Sequence, residues 1–212
     1  MKTEYLPPYT LSLDDGCFPL GGDSLALGGF TTLRPNWRVC DLGCGGGTLL
    51  LLLARRENSL SLTGVELDER AAECARSNLT SNGLTGEILT ADLREKGILP
   101  NEGFDLVISN PPYFSVGSGK NGGQARSEEA CTLDDLCAAA NRLLKTGGRF
   151  ALVHRPERLT DLLCTLRLHK LEPKRLQFIC ASPEHTPSAV LLEAVKNGGP
   201  GLDILPVRPA TR

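Results

Sequence analysis

Short apolar runs alternate with longer segments of helical period along most of the chain. Residues 37–42, 60–66, 86–90, 104–109, 149–153, 176–180 and 189–195 read as strands, each a largely apolar run of strand length. Between them, residues 46–56, 69–82, 132–145 and 156–170 have the length and apolar spacing of helices. Punctuation supports the division. Asp68 is placed to cap a helix that Asn82-Gly83 closes, Gly147-Gly148 ends the helix through Leu136 and Leu143, and Pro156 suits a first turn. Strands that alternate with helices predict an α/β fold with a parallel sheet covered by helices on both faces.

The 212 residues, without internal repeats, fit one domain. Its expected parts are an N-terminal segment 1–35, a core 36–197 and an extended Gly- and Pro-rich tail 198–212. No apolar run approaches the length of a membrane helix, and Met1-Lys2-Thr3-Glu4-Tyr5 does not begin a signal peptide. The eight cysteines contain no CxxC pair, so a reduced, cytoplasmic protein is expected and a zinc site or disulfide framework is not. His154, His169 and His185 show no ligand spacing, so no metal is expected. The net charge of −2 is uneven: residues 142–175 carry nine basic side chains against three acidic ones. Such a zone is either a phosphate-binding face or the solvated outside of two helices.

Candidate chemistry sits at the strand ends. Asp41-Leu42-Gly43-Cys44-Gly45-Gly46-Gly47 closes one strand and opens a helix, and its small residues let a ligand approach the backbone. Thr48 takes the place of the third glycine of the dinucleotide fingerprint, so the pattern is D-x-G-x-G-x-G, best known from S-adenosylmethionine-dependent methyltransferases. Glu66 ends the next strand, where a carboxylate suits ribose hydroxyls, and Asp92 follows the third, placed to accept from an adenine amino group. Leu67 and Leu93, one residue after each acid, are further cofactor-side candidates. Asn110-Pro111-Pro112-Tyr113 follows the strand 104–109. The prolines hold the loop extended, so the Asn oxygen and nearby carbonyls form a fixed set of acceptors beside an aromatic face. That arrangement suits a planar amino group. The polar, Gly-rich stretch 115–127 is either a lid or a plain connection.

Together these residues resemble the amino-methylating class I methyltransferases, and most closely the bacterial tRNA(Val) adenine-37 N6-methyltransferase family of small-domain type. The resemblance runs through 41–47, 64–66, 105–114, 116–119, Ala125-Arg126, 132–140, 143–145, 147–157 and 171–176. It implies a Rossmann-like seven-stranded, mostly parallel sheet whose last strand is antiparallel. It implies S-adenosyl-L-methionine as cofactor, held by Asp41, Gly43, Gly45, Gly47, Glu66, Leu67, Asp92, Leu93 and Asn110. Asp23, in the segment 21–27, is expected to help cover that cofactor. The implied partner is RNA, most readily tRNA, met by Tyr113, Phe114, Arg126, Arg155, Lys174 and Arg175. Arg155 could face the substrate cleft, but it reads first as a salt-bridged surface residue.

The expected catalytic group is Asn110, Pro111, Pro112 and Tyr113. An adenine amino nitrogen is a poor nucleophile, and acceptance of its two hydrogens by the Asn110 oxygen and the Pro111 carbonyl favours a pyramidal nitrogen. Positioning and aligned dipoles then supply the rate, without a strong base. Methylation of a protein glutamine amide needs the same acceptors and is the nearest alternative. A catalytically inactive RNA-binding protein with this fold is the second.

Overall fold

The computed structural model describes residues 2–14, 17–111, 131–182 and 184–210. All seven expected strands form: β3 (Arg38–Leu42), β4 (Ser61–Glu66), β5 (Gly86–Thr90), β6 (Phe104–Ser109), β7 (Leu144–His154), β8 (Leu171–Cys180) and β9 (Ala189–Lys196). They lie in the order β8-β9-β7-β6-β3-β4-β5. β3 to β7 run parallel, and β9 runs antiparallel to both β7 and β8. The chain steps outward from β3 to β5 and then returns to β6 on the other side of β3. The neighbouring ends of β3 and β6 are therefore the topological switch point, the place where open α/β sheets bind ligands.

Both sheet faces are covered, which explains the near-continuous apolar strands. Leu106 and Ile108 of β6 pack with α1 (Gly22–Phe30), α2 (Thr48–Arg56) and α3 (Glu69–Ser81). Val107, between them, packs with α4 (Leu133–Leu143) and α5 (Leu159–Leu168) on the other face. In α2, Leu49 to Leu53 are all buried, because the helix is sandwiched between the sheet and the N-terminal elements. Among the described residues, no helix is long and apolar enough to cross a membrane.

The structure departs from the sequence reading in four places. β7 begins at Leu144, so Gly147-Gly148 lie inside the strand segment, with Gly147 at φ +80°. β8 begins at Leu171, five residues earlier than expected: a register shift between Pro173 and Arg175 lets the ladder continue past a residue that cannot donate. The helix expected over 156–170 splits into a 3-10 turn, Pro156–Arg158, and α5. The N-terminal segment is ordered as a hairpin, β1 (Lys2–Leu6) and β2 (Tyr9–Leu13), followed by α1.

Asn78 on α3 and Asn82 at its C-terminal cap, one turn on, hold that hairpin. Asn82 exchanges two 2.8 Å hydrogen bonds with the Thr10 backbone, and Asn78 pairs in the same way with Ser12. Two side-chain amides thus stand where a neighbouring strand would. The tail contributes β10 (Asp203–Ile204) and β11 (Arg208–Pro209), both parallel to β8. They cover an edge that would otherwise present unpaired backbone groups.

Candidate active site

The Gly-rich turn leaves β3 with Gly43, Gly45 and Gly47 at φ +73°, +51° and +82°. Side-chain-bearing residues rarely adopt that region, so the three glycines are what allow the turn. The N–H groups of Gly43 and Cys44 donate to the Val65 carbonyl (2.8 and 3.1 Å), folding the loop over β4. Gly45 N–H donates to Glu66 Oε2 (2.8 Å) and Asp68 N–H to Glu66 Oε1 (3.0 Å). Asn78 reaches the same loop by donating to the Gly46 carbonyl (2.8 Å). α2 then starts without a side-chain cap, leaving its first N–H groups open toward the turn.

Asp41, next to last in β3, lies just before this turn. It is 1 % exposed, and neither carboxylate oxygen has a hydrogen-bond partner. Burial, with Glu66 beside it, holds its carboxyl well above the ordinary range. Further along the same sheet edge, Asp92 is engaged by Arg94, whose Nε donates to both oxygens (2.9 and 3.0 Å); these hydrogen bonds hold the carboxyl below its usual value. Leu67 is 59 % exposed beside Glu66, whereas Leu93 is half-buried against the α4 side.

β6 delivers the other half of the site. Ser109 Oγ donates to the Leu42 carbonyl (2.7 Å), tying the end of β6 to the end of β3. Asn110 follows, its Nδ2 donating to Ser24 Oγ in the first turn of α1 (2.9 Å). Pro111 is buried and Asp23 half-buried. The switch point therefore brings Asn110, the Gly-rich turn, Glu66 and Asp92 to adjacent strand ends along one carboxyl edge. Pro112, Tyr113, Phe114 and Arg126, with the stretch 115–127, lie outside the described residues.

The basic zone does not gather at this edge. Lys145 pairs with Asp105, Arg149 and Arg175 with Glu193, Arg158 with Asp161, and Arg167 with Glu172. Arg142 donates to the Leu93 and Glu95 carbonyls, and Lys174 to those of Gly199 and Pro200. These seven cations are thus committed inside the domain. Lys174 and Arg175 sit in the first half of β8, away from the carboxyl edge. Arg175 also donates to the Phe30 carbonyl and Thr32 Oγ1, and stacks 4.6 Å over Phe30. Arg155, directly after β7, is exposed at the carboxyl edge. His154 beside it is buried, which pushes its imidazole pKa down, and its Nδ1 accepts Arg155 N–H (2.9 Å). Among the described residues, no group of three or more His, Cys, Asp or Glu is placed to hold a metal ion.

Two site residues were not read from the sequence. Asn78 was hidden in the middle of a helix. Ser24 was visible only as the neighbour of Asp23, since its partner lies 86 positions away.

The family model of the methyltransferase small domain matches residues 25–166, a stretch that spans the turn, both acids and Asn110. The chain belongs to this family. A tRNA1(Val) (adenine(37)-N6)-methyltransferase of Porphyromonas gingivalis is 31 % identical over 214 residues, covering 92 % of this chain and 84 % of the relative. Another of that name, from Dickeya chrysanthemi, is 36 % identical over 140 residues, covering 63 % and 55 %. Among solved structures, a predicted O-methyltransferase of Agrobacterium tumefaciens shares the fold, with a TM-score of 0.71 at 22 % identity over 88 % of this chain and 86 % of that one.

The cofactor of this methyltransferase is S-adenosyl-L-methionine. The residues present fit it. A buried carboxylate with no partner calls for a cationic ligand, and this cofactor carries ammonium and sulfonium charges. Glu66 accepts one backbone N–H at each oxygen, and a carboxylate has about four lone-pair sites, so it retains capacity for a ligand diol.

Proposed function

We propose that this methyltransferase methylates the N6 amino group of an adenine in RNA, and that the RNA is a tRNA. The observation that carries the reading is the place of Asn110-Pro111, at the end of β6 beside the Gly-rich turn, in a chain whose relatives bear the adenine-N6 name. In this reading the turn 43–47 and Asp41 hold the amino-acid part of the cofactor, Glu66 the ribose and Leu67 one face of the adenine. Asp92 takes the adenine amino group once Arg94 releases it, Leu93 lines that side, and Asp23 closes the pocket from α1. The bound cofactor supplies an electrophilic methyl group.

The chain's own residues prepare the acceptor. Asn110 Oδ1 and the Pro111 carbonyl accept the two N6 hydrogens, which draws the nitrogen out of conjugation and points its lone pair toward the methyl. Tyr113 and Phe114 are proposed to stack on the base. The amino group becomes acidic only as it gains the methyl, so its proton leaves to solvent after transfer and no paired base is required. The adenine has to be unstacked to reach this edge, as in an RNA loop. Arg155 and Arg126 are the basic residues proposed to meet flanking phosphates. The ion pairs of Arg175 and the carbonyl contacts of Lys174 give those two residues a structural role.

A protein glutamine amide presents the same planar NH₂, and the pairing of the basic zone removes charge as an argument against it. Relatedness carries the preference for adenine. Transfer of tritiated methyl to tRNA and to protein extract, followed by nucleoside and amino-acid analysis, tests it. Label in N6-methyladenosine is expected, and label in N5-methylglutamine alone would overturn it.

A further inference from the structure

We propose that Ser24 is a positioning residue for methyl transfer: it fixes which end of the Asn110 amide faces the acceptor amine. The inference rests on the reading above, in which Asn110 presents an acceptor to an NH₂ group. A side-chain amide has two opposite ends on a soft torsion of roughly two-fold preference. With Oδ1 turned to the substrate it accepts an amine hydrogen. Turned over, it would set one NH₂ against another. Pro111 restricts the Asn110 backbone but leaves this last torsion undetermined.

The contact to Ser24 determines it. Asn110 Nδ2 donates to Ser24 Oγ at 2.9 Å, and Ser24 is 9 % exposed, so water competes poorly for the bond. The platform beneath Ser24 is firm. Ala26, Leu27 and Phe30 are buried, and Gly28 lies so close to α2 that a Cβ there would meet Leu52 Cβ at 3.0 Å. The last carbonyls of α1 accept from two arginines of other elements, Gly28 and Thr31 from Arg56 and Phe30 from Arg175. A serine held this way orients the amide without touching the substrate itself. It also joins α1, the helix carrying Asp23, to Asn110, so the cofactor side and the acceptor side share one hydrogen bond.

A hydroxyl can also donate, and a Ser24 that donated to Oδ1 would turn the amide the wrong way, so the two senses predict opposite outcomes. Three variants separate them. Ser24→Ala removes the contact, Ser24→Cys removes the strong acceptor while nearly preserving volume, and Ser24→Thr restores the hydroxyl. Protein labelled with ¹⁵N-asparagine, its Asn110 signal assigned by loss in Asn110→Asp, reports Nδ2 proton exchange independently of activity. The expected result is slowed exchange of one Nδ2 proton in wild type and Ser24→Thr but not in Ser24→Ala or Ser24→Cys. With it goes a fall in kcat of about 10-fold in the Ala and Cys variants, an S-adenosylmethionine Kd within about 2-fold of wild type, and recovery in the Thr variant. Equal exchange in wild type and Ser24→Ala, or turnover unchanged or raised in Ser24→Ala and Ser24→Cys, would overturn the proposal. Failure of the wild type to methylate tRNA would instead sink the functional reading, and the exchange measurement would still decide whether Ser24 orients Asn110.

Discussion

Asp41→Asn should make the cofactor-free protein more stable and a poorer binder of its cofactor. Asp41 is buried with both oxygens unpartnered, and burial together with Glu66 raises its pKa. In the unfolded chain the group ionises in the ordinary carboxylate range. In the folded protein it must either keep its proton or bury a charge. Wild-type stability therefore falls as pH rises from the ordinary carboxylate pKa to the raised one, and is level above it. Asparagine keeps the shape and has no such dependence. The amide is buried without partners as well, so the substitution relieves only the extra cost that burial puts on an ionisable group, on the order of 1–3 kcal/mol, and a domain of this size gains about 2–4 °C in Tm per kcal/mol. The variant should melt about 2–12 °C above wild type at pH 7.5, with the gap closing toward pH 4. Loss of the negative charge should weaken S-adenosylmethionine binding at least about 10-fold, since a hydrogen bond to a charged group contributes about 1.5–3 kcal/mol. Thermal melts of the cofactor-free protein across pH and calorimetric titration at pH 7.5 measure both. A variant that melts below wild type at pH 7.5, or by the same offset at both pH values, would refute the reasoning.

Three further outcomes are expected. Arg94→Ala frees Asp92 from its exposed ion pair and should tighten cofactor binding by no more than about 5-fold, read by calorimetry; looser binding would contradict the role given to Asp92. Asn78→Ala removes buried bonds to Ser12 and Gly46, so it should cost about 1–3 kcal/mol in denaturant unfolding and weaken cofactor binding through the loosened turn. Arg175→Ala leaves Glu193 with one cation fewer and should lower Tm while the KM for tRNA stays within about 2-fold; a selective rise in KM would restore Arg175 to the RNA contacts.

Much of the sheet was legible because both its faces are covered, which turns buried strands into apolar runs such as Phe104–Ser109. The strand ends were legible too, since Asp41–Gly47, Glu66 and Asn110-Pro111 break those runs with residues that have a backbone or polar reason to be there. β8 was read short because Pro173, Lys174 and Arg175 interrupt its pattern, and only the bulge reveals that the ladder passes through them. The hairpin carries a signal that was not used: Leu11 and Leu13 alternate with Thr10 and Ser12. The basic zone stayed open between two readings for a physical reason. Counting charge along the chain cannot see partners that meet only after folding, and Glu193 lies 44 residues from Arg149. Ser24 escaped in the same way.

Methyl transfer to an adenine amino group through Asn110 is tested most directly by one comparison. Wild type and Asn110→Ala are incubated with tritiated S-adenosylmethionine and tRNA, the tRNA is digested to nucleosides, and cofactor affinity is measured in parallel. Wild type should yield labelled N6-methyladenosine, while Asn110→Ala should transfer about 10²–10³-fold more slowly with nearly unchanged cofactor affinity. Equal transfer by the two proteins, or label in another nucleoside, would contradict that claim.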